Sequence, residues 1–253
     1  MHLQKLHGLG NDFLVALLSS EAAAPTSDDA RRLCDRHTGV GADGLISSRR
    51  TSDGSISFHL FNADGSEAEM SGNGIRCLGL AARRSGWWPG DVSRLMVMTS
   101  VGARPLDWES GTTAAATMRV EMGEVVIVER TQHGVVATAG NPHLVVLLAT
   151  PADVAAVSMA GVALDRNVEW IAAVPAKPDT LVLRVHERGA GETQACGTGS
   201  AAAAVVAVSE GIVTGPRVEV RNPGGAVVVD LSGPTPGLIG PAVFVADVAV
   251  PTS

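Results

Sequence analysis

The chain repeats itself, and that repeat limits its possible folds more than any other feature. "GSEAEMSGNG" (65–74) aligns with "AGETQACGTG" (190–199) at an offset of 125. The same offset pairs Gly86 with Gly211, each closing an alanine-rich segment. "GNDFLVALL" (10–18) resembles "GNPHLVVLL" (140–148), and "RLMVM" (94–98) resembles "RVEVR" (217–221). These last two run on through "SVGARPLD" and "NPGGAVVVD" into Asp107 and Asp230. Matches in a fixed order imply two copies of one module, over roughly 1–105 and 106–245. Each copy holds short β-branched strands with Gly, Asn and Asp turns, and one helix entered through a G-x-G turn. The helices are expected over 73–85 and 198–210; both are apolar on every side, which marks a buried helix. The fold class is therefore α/β (α+β), with a sheet curled around a central helix in each copy. A duplicated fold without duplicated chemistry is the plain alternative.

Composition sets the outer bounds. Of 253 residues, 45% are hydrophobic and 18% charged, which fits a well-cored soluble globule and argues against disorder. A formal charge of −7 and no Lys/Arg cluster argue against nucleic acid or an anionic membrane as partner. Cys34, Cys77 and Cys196 are odd in number and widely spaced, with no CxxC. That argues against a disulfide framework and against a zinc site, and suits a reducing compartment. The apolar run "FLVALL" is too short to span a bilayer and lacks a signal peptide's flanks, so it reads as a strand and the expected location is cytoplasmic.

The chemistry concentrates in the two turns. Ser71-Gly72-Asn73-Gly74 and Cys196-Gly197-Thr198-Gly199 each place a nucleophile-type side chain before G-x-G and a helix. A helix start leaves N–H donors unpaired and carries partial positive charge; such a site binds a carboxylate and lowers the pKa of a thiol. Two such turns facing one cleft suit inversion of a carbon bearing hydrogen, which needs a base on one face and an acid on the other. Neither turn is followed by Lys, so a phosphate-binding loop fits poorly.

Five ordered motifs carry a resemblance: "HGLGNDFLV" (7–15), "HTGVGADGL" (37–45), "NADGSEAEMSGNGIRC" (62–77), "GNPH" (140–143) and "ERGAGETQACGTGSAAAA" (187–204). In these the chain is similar to the diaminopimelate epimerase family. The resemblance implies a cofactor-independent, homodimeric enzyme that converts LL- to meso-diaminopimelate for lysine and peptidoglycan synthesis. It implies two similar lobes, each a β-barrel-like sheet around a central helix, with the cleft between them and residues 246–253 returning to the first lobe. By the same resemblance Cys196 is a catalytic cysteine and His143 tunes the thiol pair. Asn11, Asn62, Asn141 and Asn167 hold the substrate's amino and carboxylate groups, and Gly72-Asn73 and Gly197-Thr198 cradle the reacting carboxylate. Glu187 sits near the reacting centre, while Arg188 grips a carboxylate bidentately. No cofactor or metal is implied; the partner is a small amino acid.

One position departs from the pattern. Where the family's first turn opens with cysteine, this chain has Ser71, and Cys77 lies deeper in a helix as a core residue. A thiol ionises near ~8.5 and an alcohol near the ~15.7 of water, so an alkoxide costs on the order of 10 kcal/mol more than a thiolate. A helix end offers at most ~2 kcal/mol. Ser71 thus acts as base only if His143 or Glu187 takes its proton in concert, although it can still donate one. Three readings stay open: a natural variant working with such help, an engineered Cys→Ser form, or a related one-base dehydratase or isomerase. A substrate-binding form with impaired turnover is the alternative from another class.

Overall fold

The computed structural model describes residues 1–159, 166–188 and 191–251. It forms two compact units, Met1–Val120 with Gly240–Ser253, and Glu121–Ile239. The first begins β1 (His2–Gly8), β2 (Asn11–Leu17), α1 (Ser27–Cys34), β3 (Gly44–Ser48), β4 (Ile56–Ser57), β5 (His59–Asn62) and β6 (Glu67–Ala68). It continues through α2 (Gly72–Arg84), β7 (Arg94–Thr99), β8 (Gly102–Gly111) and β9 (Ala115–Glu121). The second holds β10 (Val126–Thr131), β11 (Gly134–Thr138), β12 (Pro142–Leu147), α3 (Pro151–Ala156), β13 (Asn167–Val174) and β14 (Lys177–Glu187). After these come β15 (Gly191–Thr193), α4 (Gly197–Ser209), β16 (Arg217–Asn222), β17 (Gly225–Asp230) and β18 (Gly237–Ala249).

The repeat survives as strand pairing. In the first unit β1–β2 is antiparallel, β2–β3 parallel, β3–β5 antiparallel, β4–β7 parallel and β7–β8 antiparallel. In the second, β11–β12, β12–β13, β13–β14, β14–β16 and β16–β17 follow with the same senses in the same order. Even an ion pair recurs: Arg94 lies opposite Asp107 and Arg217 opposite Asp230.

The helices sit as their composition demands. α2 is buried from Gly72 to Ala82 and packs on β1, β2, β3 and β8. Gly79 permits the close approach to β8, because a Cβ there would collide with Leu106 and crowd Met118 and Trp88. α4, with Ala201 to Ala204 fully buried, packs on β11, β12, β13, β14, β16 and β17. Each helix starts and stops one residue earlier than expected, with Ser71 and Cys196 as N-caps. Gly86 and Gly211 follow the two C-caps at φ 72° and 70°, left-handed backbone that glycine adopts without a Cβ penalty.

The unit boundaries differ from the expected 105/106 and 245/246. β8 continues by hairpin into β9, with Leu106 opposite Val120, so the first unit extends to Val120. Its return begins at Gly240, where β18 runs along β1 with Leu6 opposite Phe244 and His2 opposite Ala249. Residues 252–253 of the expected return lie outside the described residues. No described helix is long and apolar enough to cross a membrane.

Candidate active site

The turn before α2 is built from an alcohol, amides and a buried cation. Ser71 is extended (φ −144°, ψ 119°), and its Oγ accepts the Gly74 N–H at 3.0 Å, the usual N-cap bond. Asn73 is buried and donates through Nδ2 to Asn11 Oδ1 at 3.2 Å. Asn11 donates in turn to Asp43 Oδ2 at 2.9 Å. Behind them Arg76 is fully buried, giving Nη2 to Asn73 Oδ1 (2.5 Å) and Nε to the Pro241 carbonyl (3.1 Å). Among the described residues its Nη1 finds no hydrogen-bond partner. Burial lowers its pKa only to about 10, so it stays cationic at neutral pH. The floor of this turn is apolar: a Cβ on Gly74 would meet Ile46 Cδ1 at 3.1 Å and Phe58 Cζ at 3.3 Å.

The turn before α4 repeats the backbone with different chemistry. Cys196 is extended (φ −114°, ψ 120°), accepts the Gly199 N–H at Sγ (3.4 Å), and has Thr198 Oγ1 at 3.5 Å. Its floor is polar. His143 Nδ1 and Glu169 Oε1 lie 2.7 Å apart, both side chains fully buried, and His143 Nε2 is 2.9 Å from Asn141 Oδ1. A Cβ on Gly199 would fall 2.5 Å from Glu169 Oε1, so this carboxylate lies directly under the helix end. Glu169 Oε2 has no hydrogen-bond partner among the described residues, and burial raises the pKa of this carboxyl.

The helix end was expected to lower the thiol pKa, and here that expectation fails. Burial first, then the charges of Glu187 and Glu169, push Cys196 well above the ordinary thiol range. The contacts from Thr198 and Gly199 pull the other way and are outweighed. Cys77 is fully buried at about 12 and Cys34 buried at about 11, raised chiefly by desolvation.

The predicted residues fall into groups. Asn11, Gly72 and Asn73 gather with Ser71 at the α2 turn. Asn141, His143, Gly197 and Thr198 gather with Cys196 at the α4 turn. Glu187 is close enough to act on Cys196 and Glu169 electrostatically, and its Oε1 accepts from Thr193 Oγ1 at 2.5 Å. Asn167 Oδ1 accepts the Arg188 N–H at 2.9 Å, while the Arg188 side chain is exposed. Asn62 instead bonds across its own hairpin, Nδ2 to Ser66 Oγ at 3.0 Å. Sequence reasoning missed Glu169, Arg76 and Asp43. The first two were detectable as lone charges inside the apolar runs "NVEWIAAV" and "GIRCLGLAA". No set of three His, Cys, Asp or Glu among the described residues could hold a metal ion.

Comparison with known proteins decides the family. The diaminopimelate epimerase family model matches residues 3–128 and 135–245. The chain belongs to the diaminopimelate epimerase family. A diaminopimelate epimerase from Pelotomaculum thermopropionicum is 35% identical over 261 residues, covering 91% of each chain. Among solved structures, a predicted epimerase from Pseudomonas aeruginosa superposes with a TM-score of 0.76 at 13% identity, covering 100% of this chain and 99% of that one. A hydroxyproline epimerase from Agrobacterium vitis, with trans-4-hydroxy-L-proline bound, gives 0.69 at 17% identity, covering 99% and 90%. At these identities the two structures speak for the mixed α/β fold alone.

Proposed function

We propose that this member of the diaminopimelate epimerase family converts LL- to meso-diaminopimelate without a cofactor, in lysine and peptidoglycan synthesis, by moving one proton at the α-carbon. The observation that carries this reading is the α4 turn. Cys196 caps a helix whose first N–H groups can receive a carboxylate, and it stands beside two carboxylates and a histidine that can exchange its proton. A substrate with two amino-acid ends is held by amides and one guanidinium: Asn11, Asn62, Asn73, Asn141, Asn167 and Arg188. Glu187 and His143 relay the proton to and from Cys196, and Ser71 serves as a proton donor.

The test is incubation of the whole protein with LL-diaminopimelate in deuterated water. Exchange of the α-hydrogen and formation of the meso isomer are expected. A folded protein giving neither overturns the reading. The family assignment carries with it the expectation of a cytoplasmic homodimer, which sedimentation equilibrium checks.

Ser71 itself favours a second reading, a one-base racemase, dehydratase or isomerase of another amino acid. Deuterium exchange across a panel of amino acids separates the two, because only the second predicts exchange elsewhere and none with diaminopimelate. A binding form with impaired turnover would bind diaminopimelate tightly without exchange and gain exchange in Ser71→Cys.

A further inference from the structure

The two turns share a cap geometry and differ in buried charge. Position 76, one helical turn beyond the α2 cap, is Arg; the residue 125 further on is Ala201. Arg76 is fully buried, its hydrogen bonds go to an amide and a backbone carbonyl, and Nη1 has no partner among the described residues. The strand beneath each helix end shows the converse. Phe13 lies opposite Gly44 and His143 opposite Asn167, so Ile46 and Glu169 hold equivalent places, two residues along β3 and β13. A Cβ on Gly74 would meet Ile46; one on Gly199 would meet Glu169. The repeat therefore set a buried guanidinium behind one turn and a buried carboxyl group beneath the other.

We infer that Arg76 makes the α2 turn the end that holds negative charge, and that Glu169 makes the α4 turn the end that holds a proton. Both are positioning residues acting through the caps. In dry surroundings a fixed charge acts strongly on a neighbouring ionisable group. Arg76 adds to the partial positive charge of the α2 end, and its bond to Asn73 fixes the amide two residues after Ser71. Glu187 and Glu169 oppose the α4 end and leave Cys196 a thiol in the resting protein. This rests on the proposed epimerase reading for its catalytic meaning only; the proton assignment itself concerns the resting protein.

The ionisable groups around each end bear on any titration. Near the α2 turn these are Arg76 and Cys77 on the helix, Asp12 on β2 with its partners Lys5 and Arg36, Asp43 beside Asn11, and Arg104 on β8, whose Nε lies 3.4 Å from Met70 Sδ. Near the α4 turn they are His143 on β12, Glu169 on β13 and Glu187 on β14. His186 lies opposite Val168, on the other face of β13 from Glu169.

The experiment titrates one thiol at each helix end, by the pH dependence of iodoacetamide alkylation and of absorbance at 240 nm. The two proteins are the wild-type chain, which reports Cys196, and the double variant Ser71→Cys/Cys196→Ser. Cys34 and Cys77, raised to about 11 and about 12, stay silent. The thiol introduced at the α2 cap is expected to ionise at least about one unit below Cys196, a tenfold difference in acidity. Adding Arg76→Met to the double variant should erase that lead. Glu169→Gln in the otherwise wild-type chain should lower the Cys196 titration by about one unit. Equal titration of the two thiols overturns the assignment, as does a Cys196 titration unmoved by Glu169→Gln. Should Arg76→Met fail to fold, Glu169→Gln decides alone. These titrations need no turnover, so a protein that fails to exchange deuterium can still pass them, and the two readings fail separately.

Discussion

The α2 and α4 turns have the same backbone plan: an extended cap residue, a bond from the third helical N–H to the cap side chain, and a glycine left-handed closure after the helix. Beneath that plan they diverge. The α2 turn rests on Ile46 and Phe58 with Arg76 behind it; the α4 turn rests on the His143–Glu169 pair with Glu187 nearby. Backbone geometry was kept because caps and strand pairing leave few alternatives. Proton chemistry was free to change, because it depends on a few buried side chains that the helix tolerates at either charge. Two sites alike in shape are thereby given different work, and the departure at Ser71 falls at the cationic one.

The largest effect expected is at Cys196. Cys196→Ala should lower α-hydrogen exchange of diaminopimelate by about 10²–10⁴-fold, the usual contribution of a positioned acid or base. The measurement is proton NMR of the α-position in deuterated water. Exchange that survives the substitution would mean that the α4 turn is not the reacting end. Next comes Ser71→Cys, which should raise exchange by at least about tenfold, since a thiolate forms where an alkoxide does not. An unchanged rate would show that the hydroxyl already does what the α2 turn requires.

The parts of this picture that were readable from sequence share a cause. Gly86 and Gly211, the G-x-G turns and the alanine-rich helices recur at one offset because local backbone conformation is written locally. Ser71 and Cys196 were legible as the side chains that precede the G-x-G turns for the same reason. The unit boundary was not, because the β8–β9 hairpin and the run of β18 along β1 are backbone pairings between residues with no distinctive side chains. The rise of the Cys196 thiol was not legible because desolvation and the carboxylates of Glu187 and Glu169 depend on what the fold stacks beneath the turn. Arg76 and Glu169 were visible as odd charges in apolar runs; their roles required the register that sets Ile46 and Glu169 in equivalent places.

A pair of glycine substitutions sharpens the contrast through stability. Gly199→Ala drives a methyl to 2.5 Å from Glu169 Oε1, and the carboxylate must move against His143 to admit it. A loss of about 1–3 kcal/mol is expected, as for other overpacked sites. Gly74→Ala meets only Ile46 Cδ1, Ser71 Cβ and Phe58 Cζ at 3.1–3.3 Å. Small shifts relieve these contacts, and the helix gains up to about 1 kcal/mol from losing glycine, so near-neutrality is expected. Urea denaturation of both variants reads the difference directly; equal losses would mean that the two floors yield alike.

The smallest effect concerns the repeated ion pair. Asp107 takes a bidentate grip from Arg94 at 2.7 and 2.9 Å, but the arginine is half exposed, so Asp107→Asn should cost no more than about 0.5 kcal/mol. Asp230 is nearly buried and accepts from Ser232 N (3.0 Å) and Oγ (2.5 Å) besides Arg217 (3.3 Å). Burial works to raise its pKa, yet the Ser232 bonds and Arg217 outweigh burial and hold it below the ordinary carboxylate value. A depressed folded-state pKa stabilises the fold above the unfolded value, near ~3.9, and the benefit is lost as pH falls through the folded value. Asp230→Asn should therefore cost about 1 kcal/mol at neutral pH. Its deficit relative to wild type should shrink on acidification below about pH 4, as the wild-type carboxyl takes up its proton. Thermal melts of the two Asn variants at neutral pH and in acid test this; a deficit for Asp230→Asn that does not change with pH would assign its cost to packing and remove the electrostatic distinction between the two copies.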